Sequence, residues 1–407
     1  MFAKLALMRP DAVGDSGLCR PEPWPSRSAA RWILPDSADD DAVLEKWRRL
    51  AEAAGDANVF AEPWMLMPAL RHLAPKGARI GLLCAEGDAD GMLGAVPLVR
   101  SGPPISRFWS VWAHTHCFDT TPLVREGSAS AFLDTLFGWL DEQGGGVLHW
   151  PSLTTDTRFA GDLFSHLAET QRGWRVLRRS ARPFLRADAL TVAGYLESLS
   201  RNRRKGCERR RRRLEELGNL TSRRGERRDE VVSLSRQFLE LESRSWKGRI
   251  GSAIQSSPGE TAYFEALVDG GSREGRIMAG ALELDGRPVA ITMNFRAGSQ
   301  LWAFKTAFDE ELRSCAPGVL AEIEDVRHAI EDPTIGWFDS CTPPGNRLMG
   351  ELWPHRRPMV DLLISVRPGG RRTLAAFGAG HFALRAVRAG RRRLGSVARL
   401  MRRGPLN

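Results

Sequence analysis

Tyrosine is almost missing from this 407-residue chain, which holds only Tyr195 and Tyr263. Chemistry that needs a phenol as general acid therefore falls to Tyr263. Lysine is scarce too: Lys4, Lys46, Lys76, Lys205, Lys247 and Lys305 stand against 53 arginines. A run of arginine is thus weak evidence of function here, and each lysine is stronger evidence. The six cysteines, at positions 19, 84, 117, 207, 315 and 341, form no CxxC and no regular spacing. That excludes a zinc ribbon or a disulfide framework and fits a reducing compartment. No apolar run approaches the ~20 residues of a membrane span. The opening MFAKLALMRPD is too short and too soon interrupted for a secretory signal, so a cytoplasmic protein is expected. The eight histidines form no HExxH. His114 and His116, in WAHTHCFD, are expected at strand spacing on one face as ordinary polar residues, because a metal would need a further ligand. No metal is expected.

What the chain has is positive charge, unevenly placed. The net charge is +10, and eleven arginines with no acid lie between Leu362 and Asn407. The rest of the chain is therefore close to neutral, and the excess belongs to a C-terminal tail. The loudest internal stretch, RNRRKGCERRRRRLEELG at 201–218, packs nine cations between Arg201 and Arg213. It has no aromatic or amide side chains spaced to stack on or read bases, so nucleic acid is not the expected partner.

The length predicts two domains. Residues 1–30 are Pro-rich and aperiodic, a disordered leader. From 31 to 188 helices and strands alternate: SADDDAVLEKWRRLAEAA and WMLMPALRHL as helices, a hairpin from ARIGLLCAEGD and GMLGAVPLVRSG, a third strand in RFWSVWAHTHCF, the helix SASAFLDTLFGWLDEQ, and the strand VLHWPSL. Residues 189–366 repeat that order without repeating the letters: the basic helix, helices in RDEVVSLSRQFLELESRSW and GETAYFEALVDGG, three strands in RIMAGALELDGRPVAITMNFRAG and SQLWAFKTAFD, the helix APGVLAEIEDVRHAIED, and the strand TIGWFDSC. On the helices, Val231, Leu234, Phe238 and Leu241, and Val319, Ile323, Val326 and Ile330, are expected to face inward. Residues 367–407 form a basic helical tail, interfacial at an anionic membrane or free in solution.

Several segments are chemically suggestive. In CAPGVLAEIEDV, Pro317 cannot donate and Gly318 admits close approach, so the free amides of Gly318, Val319 and Leu320 would make an anion site suited to a pyrophosphate. The plainer alternative is an ordinary helix start. Lys305 and Asp309 bracket the end of LWAFKTAFD. Lys305 would neutralise an acidic substrate or an oxyanion, or else pair with Asp309 at the surface. Glu242 and Asp339 are the candidate proton acceptors, Asp339 because it ends a buried strand; capping or ion pairing is the alternative for each. Trp246 and Lys247, before Gly248, would wall an acceptor pocket, or pack at a domain seam.

Taken in order, Leu214–Gly218, Glu242 with Trp246-Lys247-Gly248, Lys305–Asp309, Ala316–Leu320, Asp339-Ser340 and Leu352-Trp353-Pro354 resemble the GNAT-superfamily subgroup labelled cellulose-biosynthesis CelD-like, related in architecture to the FemAB transferases. The resemblance spans about residues 30–366. Ala316 stands where that pattern usually has Ser. The resemblance implies an α/β fold of two tandem GNAT-like domains, each with a mixed, mostly antiparallel sheet flanked by helices. It implies acyl transfer from acetyl-CoA or another acyl-CoA, the donor's arm lying along Phe304 to Thr306. It also implies an amine or hydroxyl acceptor, a small molecule or a cell-envelope or polysaccharide precursor. The N-terminal domain, lacking a Pro-Gly helix start, is expected to shape the acceptor cleft. Alternatives are a FemAB-like aminoacyl-tRNA-dependent transferase acting on peptidoglycan precursors, although no inserted helical hairpin is seen, and an inactive scaffold with a membrane-surface tail.

Overall fold

The computed structural model describes residues 29–34, 40–87, 91–101, 107–370 and 374. Most of the expected leader and basic tail lies outside these residues. The first half runs β1 (Ala29–Ile33), α1 (Asp41–Ala53), α2 (Pro63–His72), β2 (Ile80–Glu86), β3 (Met92–Ser101), β4 (Phe108–Val111), β5 (Leu123–Val124), α3 (Ala129–Glu142), β6 (Val147–Thr154), α4 (Arg158–Glu169) and β7 (Arg172–Arg186). The second runs α5 (Val192–Ser198), α6 (Arg201–Glu215), β8 (Leu220–Gly225), α7 (Arg228–Arg244), α8 (Trp246–Arg249), α9 (Pro258–Arg273), β9 (Ile277–Leu284), β10 (Arg287–Ala297), β11 (Gln300–Phe308), α10 (Pro317–Glu331), β12 (Trp337–Asp339), α11 (Arg347–Leu352) and β13 (His355–Pro368).

Local chemistry accounts for the helix starts and faces. The Asp40 carboxylate caps α1 by accepting from the Ala42 amide, and Val43, Trp47 and Leu50, at helical spacing, are buried. On α7 Val231, Leu234 and Phe238 are buried as expected, but Leu241 is only half-buried and Glu242 takes the inward position. On α10 the inward residues are Leu320, Ile323, Val326 and Ala329, whereas Val319 and Ile330 are half-buried, a rotation of the expected face.

The strands form one mixed, mostly antiparallel sheet in the order β1-β2-β3-β4-β6-β13-β7-β12-β11-β10-β9-β8, with β5 added beside β3. Among the described residues only β4 with β6 and β11 with β12 pair in parallel. The order shows an exchange. Each half lays down five strands in matching order and then sends its last, long strand across: β7 pairs with β12, and β13 pairs with β6. β7 and β13 also pair with each other along most of their length, closing the centre of the sheet.

The halves share a core as well. Trp64 on α2 packs edge-on against Phe295 on β10, ring centroids 5.4 Å apart. A Cβ on Gly271 of α9 would fall 2.8 Å from the Trp64 ring, so this closeness needs glycine. At the crossing strands, Arg182 of β7 and Arg357 of β13 both reach Asp339.

Some expectations change. β1 begins at Ala29, inside the segment assigned to the leader. β4 ends at Val111, and the chain then turns, with the Cys117 amide donating to the His114 carbonyl. His114 and His116 are therefore not on a strand face. Instead both are buried against Tyr263 at the seam. Among the described residues no helix is long and apolar enough to cross a membrane, and no group of three or more His, Cys, Asp or Glu is placed to hold a metal.

Candidate active site

β11 is the strand that makes the site. It is bordered by β10 along its whole length but by β12 only from Gln300 to Trp302. From Ala303 to Phe308 one edge lies open, with backbone groups not used by the sheet. A register shift opposite Met293 and Asn294 leaves Phe304 as the extra residue of a β-bulge, directly beside Lys305. Such bulges re-aim side chains near functional sites. The open edge, the start of α10, the α8 turn and the segment 340–352 enclose a cleft of about 500 Å³.

Ala316 enters α10 in the left-handed conformation, φ 48°, and no side chain caps the helix. The amide count differs from expectation: Val319 and Leu320 both donate to the Ala316 carbonyl, at 3.0 and 3.3 Å. Leu320 therefore makes the first ordinary helical bond and is not free for an anion. Gly318 has a steric role too. A Cβ there would meet the Phe308 ring at 3.0 Å and the Thr306 methyl at 3.5 Å, narrowing the gap between helix and strand. The exposed Arg313 adds a cation to the cleft wall.

Glu242 and the two lysines form one unit. Glu242 is 1% exposed and does not face the cleft. Its Oε2 accepts from the Ile254 amide at 2.8 Å, while Oε1 lies 3.2 Å from Lys247 Nζ and 3.8 Å from Lys305 Nζ. Lys247 also donates to the Thr306 carbonyl, 3.3 Å. Both lysines line the cleft, so the carboxylate positions them and is not itself the proton acceptor. Burial pulls the Lys305 pKa down, opposed by Glu242 and assisted by Lys247. Lys305 does not pair with Asp309; Asp309 instead caps the turn at Glu310–Cys315, accepting from the Glu311 amide, and does not line the cleft.

The carboxylate that does face the cleft is Glu322, on α10, and it is the only one among the described lining residues. Thr306 donates its hydroxyl proton to Glu322 Oε1. Burial, then the charge of Asp325, lifts the Glu322 pKa to about 7, against the lowering effect of the Thr306 bond. Sequence reasoning missed it. The available signal was its place three residues after Val319, on the same side of a helix that begins at Pro-Gly.

The other expected residues lie elsewhere or act differently. Asp339 is fully buried, 2.7 Å from Arg182 Nε and 3.2 Å from Arg357 Nη1, and accepts from the Cys341 amide. Held between two guanidinium groups away from the cleft, it is a tie between exchanged strands and not a base. Tyr263 is buried with its hydroxyl on Met65 Sδ, which removes it as a general acid for the cleft. Trp246 is 47% exposed on the cleft wall, and its backbone amide is fixed by Glu310 at 2.8 Å. The basic helix α6 does not line the cleft. Arg211 reaches Glu324 on α10 at 2.6 Å and Arg203 reaches Glu351 on α11, so part of its charge braces two cleft-wall helices. Among the described residues the N-terminal half contributes none to the lining, whereas it was expected to shape the acceptor cleft. His116 of that half packs its ring edge-on against the cleft residue Phe304, centroids 5.5 Å apart. Burial and the neighbouring Lys305 push the His116 pKa down to about 4, so this ring is neutral near pH 7.

β11 thus departs from its parallel neighbour beside a helix that starts at Pro-Gly. Residues 201–346 match the family model of the acetyltransferase (GNAT) domain. The matched residues run from α6 through β12. The crystal structure of FemX superposes with a TM-score of 0.55 at 10% identity, covering 82% of this chain and 98% of the other. A conserved protein of unknown function from Bacteroides thetaiotaomicron superposes with a TM-score of 0.51 at 12% identity, covering 79% and 96%. At these identities the likeness concerns the fold. No curated protein sequence matches the chain.

Proposed function

We propose that the cleft transfers an acyl group from an acyl-CoA to an amine or hydroxyl acceptor. The observation that carries this is the open edge of β11 from Ala303 to Phe308, facing an uncapped helix start across Gly318. An extended amide-bearing arm adds to such an edge as a strand does. Phe304 and Thr306 flank that arm, while the Gly318 amide and Arg313 favour its phosphates. The reaction assigns one role to each polar group. The acceptor's nitrogen or oxygen attacks the thioester carbonyl carbon, and its proton passes to the Glu322 carboxylate, whose pKa of about 7 suits the task. Negative charge gathering on the carbonyl oxygen faces Lys305, held with Lys247 by Glu242. The carbon–sulfur bond then breaks with its electron pair on sulfur. Trp246, Ser340, Thr342 and Asn346 remain for the acceptor. The CelD-like resemblance supports a cell-envelope or polysaccharide-related acceptor.

A second reading, aminoacyl transfer from charged tRNA, draws support from the FemX-like fold and the exposed arginines of α6. Calorimetric titration of the full chain with coenzyme A, acetyl-CoA and charged tRNA separates the two. Binding of the coenzyme A compounds, weakened in Gly318→Val, is expected. Binding of charged tRNA alone would replace the first reading with the second, and binding of none would remove both.

A further inference from the structure

The cleft has two chemically distinct sides. Lys247 and Lys305 gather on Glu242, and Phe304 belongs to the core that α7 and α9 share with the N-terminal half. The remaining apolar lining, Ala303, Phe308, Val319, Met349 and Leu352, belongs to or packs against a different hydrophobic cluster, on the side of α5 and α10. The cleft therefore opens onto the flank of a hydrophobic core. The wall continues outward: Leu348, 39% exposed, lines the same cleft and is one of six exposed large apolar side chains among the described residues. Trp246 is another.

This wall is built to stay in place. α11 carries Leu348, Met349 and Leu352, and Asn346 caps it by accepting from the Met349 amide at 3.2 Å. Glu351 is bound by Arg347, 2.9 Å away, and by Arg203 of α6. Arg356 donates to the Gly350 and Trp353 carbonyls at 2.8 and 2.6 Å. A short helix with that many ties keeps its apolar residues facing the cleft.

An acetyl group presents one methyl and would leave Leu348 in contact with solvent, beside the cleft-facing edges of Met349 and Leu352, which are otherwise buried. Ligand clefts are lined mainly by apolar side chains, which bury most of the ligand's surface. We infer that the acyl group carried by the donor is a hydrocarbon chain, laid along Leu348, Met349 and Leu352 of α11, in place of an acetyl group. The inference rests on the acyl-CoA reading of the cleft and narrows its substrate class. Cationic groups hold the phosphate-bearing and reacting parts, and the braced apolar wall takes the chain.

The test measures dissociation constants of the full chain for coenzyme A, acetyl-CoA, butyryl-CoA, hexanoyl-CoA and octanoyl-CoA by calorimetry. Full burial of a methylene is worth about fourfold in affinity, and half-burial about twofold. Octanoyl-CoA is therefore expected to bind about fiftyfold or more tighter than acetyl-CoA, with a steady gain along the series. Leu348→Glu, at a partly exposed position that tolerates a charge in the fold, is expected to weaken octanoyl-CoA about thirtyfold and acetyl-CoA only a few-fold. Equal affinities along the series would overturn the chain inference while leaving acyl-CoA binding intact. Binding of no coenzyme A compound would overturn both.

Discussion

The two halves of the sheet use one order of elements, and yet among the described residues the cleft of about 500 Å³ beside an open strand edge lies in the second. In the second half β11 is nine residues long and runs past the three residues that β12 pairs with it. In the first half β4 has four residues, and β6 borders three of them. The chain after β4 then folds back over the place where an open edge would be. Asn58 donates to the Asp119 and Thr121 carbonyls, and the Asp119 carboxylate accepts from Thr121 and Thr154. The helix starts differ in the same sense. The small hollow at the start of α3, about 40 Å³, is lined by Asp56, Glu126 and Asp162 as well as Arg125 and Arg158. The cleft at the start of α10 is about 500 Å³ and carries Lys247, Lys305 and Arg313 with one carboxylate. An uncapped helix start is common to both. What distinguishes the second is strand length past the parallel partner and the sign of the nearby charge.

The largest expected effect comes from breaking what the halves share. Asp339→Ala leaves Arg182 and Arg357, 3% and 5% exposed, without their common carboxylate. Stranding a buried charge in this way costs about 3–5 kcal/mol, measurable as a lower midpoint in urea unfolding. An unchanged midpoint would show that the crossing strands do not depend on this tie. Next comes a change that makes the second half imitate the first. Gly318→Val places a side chain against Phe308 and Thr306 and is expected to weaken coenzyme A binding at least about tenfold, roughly 1.4 kcal/mol, with the circular dichroism spectrum unchanged. Wild-type affinity in this variant would mean that the arm does not pass between α10 and β11.

The comparison also explains what was legible in the sequence. Helices α1, α7 and α10 announced themselves by caps and apolar spacing, and β9, β10 and β11 by runs of apolar and β-branched residues around DGRP. β7 and β13 did not, because strands in the middle of an exchanged sheet carry Arg182, Arg357 and Asp361 inward on ion pairs, so alternation of apolar and polar residues fails. The same cause misled the reading of Asp339. Its burial was foreseeable, but its partners come from strands 157 and 18 residues away in sequence, which spacing does not reveal. Lys305 and Gly318, which line the cleft, stood out in the sequence because local chemistry singles them out. Glu322 was not, since its significance depends on Thr306 across a tertiary contact. The arginines of α6 were prominent and misleading: two of them brace α10 and α11, and none lines the cleft.

The most local expected effect isolates Glu322. Its pKa is raised from 4.5 to about 7 in the folded protein, so ionisation is easier in the unfolded chain. The folded state then holds more protons between these values, and stability falls as pH rises from about 4.5 to about 7. Below that window Glu322 costs nothing, and above it the cost is complete. Glu322→Gln keeps an acceptor for Thr306 and cannot ionise. It is expected to match the wild type at pH 4 and to exceed it at pH 8 by on the order of 2 kcal/mol, read by urea unfolding at both pH values. Glu62, buried beside Arg276, is raised to about 7 as well and contributes a slope in the same window. The difference between variant and wild type removes that shared slope. A Glu322→Gln protein with no advantage at pH 8 would show that the cleft carboxylate is solvated, and the proton acceptor of the second half would then have to be sought among groups outside the cleft wall. Thr306→Val sharpens the result, because losing the donor to the charged form raises the Glu322 pKa further and moves the fall in stability to higher pH.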